Sequence, residues 1–195
     1  MDKNRWKLGL GLLAAGLSAL LTVTPAHAAY PGNSGAYGTT FVDGDGALTD
    51  DFGEQYGELG NSLCYGCGNS TNTDIVKLWQ SILASEQLLS IDAIDGQFGP
   101  ATRDATKAWQ QRYGLGADGM VGDATWGKAD DRLYWGSDNA VYYDSSRVGE
   151  VRLFRGDSSK YRDGGAYHLG RVRQGDAVHA FDVGTRIYFS SLTVR

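Results

Sequence analysis

Residues suited to metal and nucleophile chemistry are scarce in this sequence, with three histidines and two cysteines among 195 residues. Cys64 and Cys67 stand as C-x-x-C with no second such pair, which excludes a four-cysteine zinc site. No G-x-S-x-G occurs, so the serine nucleophile of a strand–turn–helix elbow is excluded. Only Leu8–Val23 forms a long apolar run. Positive charge is also short: the net charge is -5, and phosphate contacts need clustered Lys and Arg, so nucleic acid is not an expected partner.

The first residues have the layout of an export signal. Lys3, Arg5 and Lys7 precede Leu8–Val23, a run too short and Gly-rich for a comfortable membrane span, and Ala26-His27-Ala28 supplies a small-x-small cleavage pattern. The expectation is a signal peptide over 1–28, an uncleaved anchor being the alternative. The mature chain is then secreted, extracellular or wall-associated, without membrane contact. It carries a net charge of -7, since the leader holds three basic residues and one acidic residue. Its remaining histidines are His168 and His179. Outside the cell, Cys64 and Cys67 are expected to be disulfide-bonded. So short a loop gains about 2 kcal/mol and pins a turn rather than a fold.

Composition divides the mature chain in three. Residues 29–71 hold ten glycines, six acidic residues and no Lys or Arg, which predicts a flexible leader. Within it, "DGDGALTDDFGE" places Asp43, Asp45, Thr49 and Glu54 at calcium-loop offsets, but Ala47 and Leu48 occupy the places of a ligand and the turn glycine. No metal or other cofactor is expected. Residues 72–132 are helical in pattern: Thr73 or Asp74 can cap a helix whose Ile75, Trp79, Ile82 and Leu83 form one apolar face. A second helix starts at Pro100 and ends at Gly114 or Gly116, and a third covers 123–131. Residues 133–195 alternate apolar and polar positions in "NAVYYDS", "EVRLFR", "AYHLGRV", "DAVHAFD" and "TRIYFSSLTV", predicting four to six short strands in a small antiparallel sheet or barrel. The fold class expected is α+β in several parts: a three-helix domain over 72–132, then an all-β domain over 133–195.

One phrase is written twice. Asp95–Thr102, "DGQFGPAT", returns 23 residues later as Asp118–Thr125, "DGMVGDAT". Each copy stands before a helix start. Glycine permits positive φ, Asp can bond nearby backbone amides, and Phe98 and Val121 can point inward. Two copies predict two similar corners of one unit.

The order "VKLWQSIL … DGQFGPATRDATKAWQQRYGL … DGMVGDATW" resembles the peptidoglycan-binding domain of the PG-binding-1 type, with Trp79-Gln80 and Trp109-Gln110 where the family usually has L-Q and F-Q. "ASEQLLSIDAI" departs from the family's pattern before the first D-G. The resemblance implies a secreted three-helix module that attaches to bacterial cell wall, with peptidoglycan as partner. Candidate ligand-binding residues are Asp95, Gln97, Phe98, Asp118, Thr125 and Trp126.

Such modules often accompany wall hydrolases. Asp176, His179 and Asp182 are oddly spaced, so a regular strand turns His179 away from both carboxylates. Neither cysteine lies in an H-G-C motif, and Glu54, Glu58, Glu86 and Glu150 show no paired-carboxylate setting. The expected protein is a non-catalytic wall binder. The alternatives are a small hydrolase with its site near His168 and His179, or an interaction protein gripping a secreted partner. In the last sixty residues, Trp135, Tyr142, Tyr143, Tyr161 and Tyr167 offer a possible sugar-stacking surface. Arg152, Arg171 and Arg173 offer a basic stripe for anionic wall polymers.

Overall fold

Three tryptophans, one from each long helix, organise the interior of the computed structural model, which describes residues 40–156 and 165–195. The expected signal peptide, and Tyr161, lie outside the described residues. Helix α2 (Asp74–Ser85), α3 (Pro100–Arg112) and α4 (Asp123–Asp130) contribute Trp79, Trp109 and Trp126, all fully buried. Trp79 meets the other two edge-on, with ring centroids 5.1 and 5.5 Å apart, and its indole N–H donates to Thr106 Oγ1 at 2.8 Å. Edge-to-face pairs of this kind add about 0.5–1.5 kcal/mol beyond their buried area.

Helix α2 is buried almost all round, not along the single stripe expected. Val76, Leu78 and Ala84 are as covered as Ile75, Trp79 and Ile82. Its flanks lie against α3 and against two strands of the sheet. Its capping also differs. Neither Thr73 nor Asp74 makes a side-chain cap. The amides of Asp74 and Ile75 donate instead to the carbonyls of Ser191 and Tyr188, at 2.8 and 3.1 Å. In return the Asp74 carboxylate accepts from the amides of Tyr188, Thr193 and Val194. The chain's last residues thus satisfy the orphan donors of a helix start.

The six described strands form one antiparallel sheet. Strand β1 is Asp43–Gly44, β2 Leu133–Trp135, β3 Val141–Asp144, β4 Gly149–Arg155, β5 Gly165–Gln174 and β6 Ala177–Ala180. The order is β1-β5-β4-β3-β2, with β6 also paired to β5. "TRIYFSSLTV", expected as a strand, makes two isolated bridges, Phe41 with Tyr188 and His168 with Arg186, before crossing to α2. The amides of Ile187 and Phe189 donate to the carbonyls of Tyr167 and Thr40, while those of Tyr188, Thr193 and Val194 go to the Asp74 carboxylate, so no continuous ladder forms.

Two expectations are corrected. Residues 40–71 are not a free leader. They supply β1, the short helix α1 (Gln55–Leu59) and the buried Phe41, Val42, Phe52 and Leu63. This brings the described helices to four where three were expected. Glycine and acid content suggested too little apolar surface, but four well-spaced apolar side chains reach the core. The helical unit and the sheet also share one core. Phe52 packs on Trp126 at 5.9 Å and on Tyr167 of β5 at 5.6 Å, closing a chain of rings from α3 to the sheet.

Two clusters of ionisable side chains are buried where these parts meet. Glu86, just past α2, has a fully buried side chain. It accepts from Tyr143 Oη at 3.0 Å, Ser146 N at 3.2 Å, Ser146 Oγ at 2.5 Å, Arg112 Nη1 at 2.8 Å and the Tyr113 hydroxyl. Asp51 and Asp130 flank Phe52. Arg155 Nη2 donates to Asp51 at 2.8 Å, Tyr167 donates to its other oxygen, and the Phe52 amide donates to Asp130 at 2.7 Å.

Candidate functional site

The two copies of the repeated phrase have the same construction, and each is held by a glutamine of the preceding helix. Gln80 Nε2 donates to Asp95 Oδ1 at 2.9 Å, the Gln97 carbonyl at 3.0 Å and Thr102 Oγ1 at 3.2 Å. Its Oε1 accepts from the amides of Asp95 and Gly96. Gln110 repeats the set. Its Nε2 donates to Asp118 Oδ1 at 2.8 Å, the Met120 carbonyl at 2.8 Å and Thr125 Oγ1 at 3.1 Å, and its Oε1 accepts from the Gly119 amide. Asp95 and Asp118 each accept from the amide two residues on, at 2.8 and 2.9 Å. Positive φ is needed only at the first glycine of each copy, 81° at Gly96 and 78° at Gly119. The second glycines, Gly99 and Gly122, are extended residues at the N-caps of α3 and α4.

The structural repeat therefore reads W-Q … D-G-x-x-G-x-x-T. Gln80 and Gln110 were not among the candidate residues, although the Trp-Gln pair precedes each phrase and was the available signal. A buried primary amide is well suited here, since its two N–H groups and one oxygen match a turn that offers both acceptors and donors.

A segment before α2 ties the corners together. Leu63 exchanges backbone hydrogen bonds with Val121 in the second corner, and Phe98 N donates to the Ser70 carbonyl in the first. Between these anchors, Cys64 and Cys67 form a disulfide, and exposed Tyr65 has the Arg103 guanidinium over its ring at 5.6 Å.

The second corner opens onto a cavity of about 400 Å³ lined by Tyr56, Leu115, Asp118, Met120, Asp123 and Thr125, among others. A second cavity, of about 320 Å³, lies among Thr40, Glu58, Asn69, Thr73 and Phe189. Neither is lined by any residue of the first phrase. Of the six candidate residues, Asp118 and Thr125 line the first cavity, while Asp95 and Gln97 reach the surface at the other corner. Phe98 and Trp126 are 4% and 0% exposed and serve as core; neither ring is available for stacking on a ligand. Tyr56 and Met120, both exposed, are the large apolar side chains open to solvent at this cavity. Tyr56 lies in the acidic leader, which sequence patterning had set aside as flexible.

The two described histidines stand apart. His168 is buried in β5 opposite Phe154, whereas His179 stands in β6 opposite Val172 with its ring 4.5 Å from Phe181. Four residues of strand between their registers amount to roughly 13 Å. Among the described residues, one trio has the spacing to hold a metal: Asp43, Glu54 and Glu58, with ligand oxygens within 4.8 Å of one another. It contains no histidine and shares only Asp43 and Glu54 with the calcium-loop pattern.

Residues 72–128 match the family model described as "Putative peptidoglycan binding domain". This stretch is a peptidoglycan-binding domain of the PG-binding-1 type. It contains α2, α3, both glutamine-held corners and most of α4. Over 36 residues the chain is 61% identical to a zinc D-Ala-D-Ala carboxypeptidase of Streptomyces albus G, a match covering 18% of this chain and 14% of that protein. The chain thus spans about a seventh of the length of this curated relative. No solved structure matches the chain. No helix among the described residues is long and apolar enough to cross a membrane.

Proposed function

We propose that the protein is an exported cell-wall binder whose peptidoglycan-binding domain holds its ligand in the cavity at the second D-G-x-x-G corner. The supporting observation is the cavity at the second corner, which sets exposed aromatic and thioether walls beside polar groups that the turn holds fixed. Tyr56 and Met120 present apolar surface to a sugar face or peptide methyl, while Asp118 and the Thr125 region orient amides. Tyr56 of α1 and Ser62 complete the cavity's lining, and the sheet stands as a second contact or as cargo.

Paired substitutions test the location. Gln110→Ala and Gln80→Ala remove equivalent bonds, each costing about 2 kcal/mol through buried groups left unpaired. Gln110→Ala is expected to weaken co-sedimentation with purified peptidoglycan by about tenfold, and Gln80→Ala by much less. Equal losses place the ligand elsewhere. Full-length protein remaining in the supernatant rejects wall binding itself.

A second reading is a wall hydrolase, favoured by the relative named as a zinc carboxypeptidase. Release of soluble fragments from labelled peptidoglycan by a sample that also contains bound metal supports it. Absence of both outcomes rejects it. An interaction protein gripping a secreted partner through the sheet predicts weak wall binding and a co-purifying protein.

A further inference from the structure

The outer face of the sheet carries an ordered aromatic and basic surface. Tyr143, Val151, Leu153, Leu169 and Val172 point inward and are fully buried. Their strand neighbours therefore point outward. Register aligns Tyr134, Tyr142, Arg152 and Arg171 in one cross-strand row over β2, β3, β4 and β5. The adjacent row is Asp144, Glu150, Arg173 and Val178. With strands about 4.8 Å apart, the first row spans roughly 14 Å.

Tyr134, 47% exposed, stacks on Tyr142 with centroids 5.6 Å apart and planes 24° from parallel. Arg152 donates to the Tyr142 hydroxyl at 3.1 Å and to Asp138, and lies over the Phe154 ring at 4.4 Å. At the other end, Arg171 and Arg173 share one carboxylate, Glu150, at 2.7 and 3.3 Å, with their side chains 45% and 46% exposed. Arg132 and Asp144 pair at 3.2 Å, and Arg152 and Asp138 at 2.8 Å. On the face itself Arg152, Arg171 and Arg173 balance Asp138, Asp144 and Glu150, while the Arg132 guanidinium lies over the Tyr113 and Tyr143 rings on the inner side, at 4.9 and 5.7 Å. The chain as a whole has net charge -5, so this face is less acidic than the protein that carries it, and at its exposed end two guanidinium groups share one carboxylate.

Of the aromatics noted in the sequence, Tyr143 and Tyr167 are core, Tyr142 is on this face, and Tyr134 joins it. We infer that the outer face of the sheet is a second binding surface, specific for a linear acidic glycan whose sugars carry carboxylates. Stacked tyrosines offer a surface for sugar C–H groups. Arg171 donates through Nε and Nη2 to one oxygen of Glu150, and its half-exposed guanidinium keeps further N–H groups for a uronate-type carboxylate. A row crossing four strands suits an extended chain of repeating units better than a compact ligand. This site is separate from the helical corners and does not depend on the reading given for them.

The test is affinity electrophoresis of the full-length protein in native gels containing polygalacturonate, hydroxyethylcellulose or polyphosphate. Polygalacturonate should retard the protein most, and added salt should weaken the retardation. Tyr134→Ala and the double variant Arg171→Gln/Arg173→Gln should each reduce it about fivefold, the double variant also losing most of the salt sensitivity. Both variants should keep wild-type thermal transitions and wild-type sedimentation with polymer-stripped peptidoglycan. Failure of polygalacturonate to retard the wild type overturns the inference, as do variants retarded like the wild type. Equal retardation by hydroxyethylcellulose removes the charge component, and equal retardation by polyphosphate removes the sugar component; either result also overturns it.

Discussion

Glu86→Ala should lower the stability of the whole chain by roughly 3–5 kcal/mol, the range for removing one partner of a buried charged network. Its carboxylate follows α2, accepts from Arg112 and Tyr113 at the end of α3, and accepts from Tyr143 and Ser146 on and beyond β3. Removing it leaves those donors without their acceptor at the joint between helices and sheet. Trp109 is coupled to the same point, since its indole N–H donates to Tyr143 Oη at 3.1 Å. Calorimetry is expected to show one transition for the wild type and one, shifted down, for the variant, because a single core runs through both parts. Loss of only a sheet transition, with the helical part melting as before, would show two independent domains. Glu86→Gln, which keeps the shape but loses the charge, should cost less. Burial works to raise the Glu86 pKa, but the donors from Ser146, Tyr113 and Tyr143 outweigh it, and the net direction is downward. The group's contribution is therefore present above the unfolded value of 4.5 and disappears as pH falls through the lower folded value.

Asp130→Asn should stabilise the protein at pH 8, by on the order of 2 kcal/mol, or roughly 4–8 °C in melting temperature. Burial pushes Asp130 up to about 8 and Asp51 up to about 7 from an ordinary value of 3.8. The two carboxylates differ in their partners. Asp51 faces the Arg155 guanidinium and the Tyr167 hydroxyl, so its charge is answered. Asp130 has the Phe52 amide on one oxygen, no hydrogen-bond partner on the other among the described residues, and the charges of Asp51 and Asp50 nearby. The proton of this pair therefore resides on Asp130. The folded pKa is the higher one, so folded protein retains a proton that the unfolded chain has released. Stability from this group is full below about pH 4 and falls as pH rises through about 8. Asparagine keeps an acceptor for Phe52 and carries no charge. The variant's melting temperature should thus flatten between pH 5 and 8, where the wild type declines. An Asp130→Asn curve that still declines like the wild type would assign the proton elsewhere. Asp51→Asn should act oppositely, since it leaves Arg155 buried without its counter-ion.

The short-range features of the helical part were legible in the residues. The repeated D-G-x-x-G phrase, Pro100 at a helix start, the end of α3 just before Gly114 and the inward Trp79 all depend on interactions within a few residues or one helix face. The alternation in 133–180 likewise marked strands, because side-chain period is a local property. The site was only partly legible. Asp118 and Thr125 carry the motif and line the cavity, but Phe98 and Trp126, equally prominent in the pattern, are core. Exposure depends on what packs over a residue, and a motif does not record that.

By itself, then, the sequence determined the two corners, the helices they start, the sheet's strand pattern and the kinship of 72–128 with peptidoglycan-binding domains. Tertiary structure alone decided that residues 40–71 close the core through Phe52, that the chain's last residues take up the start of α2, and that Tyr56 completes the cavity wall. It also decided that Tyr134 and the arginines share one face. Each of these joins residues far apart in the chain. Their energies come from burial and from hydrogen bonds exchanged across the fold, which no local pattern of residues encodes.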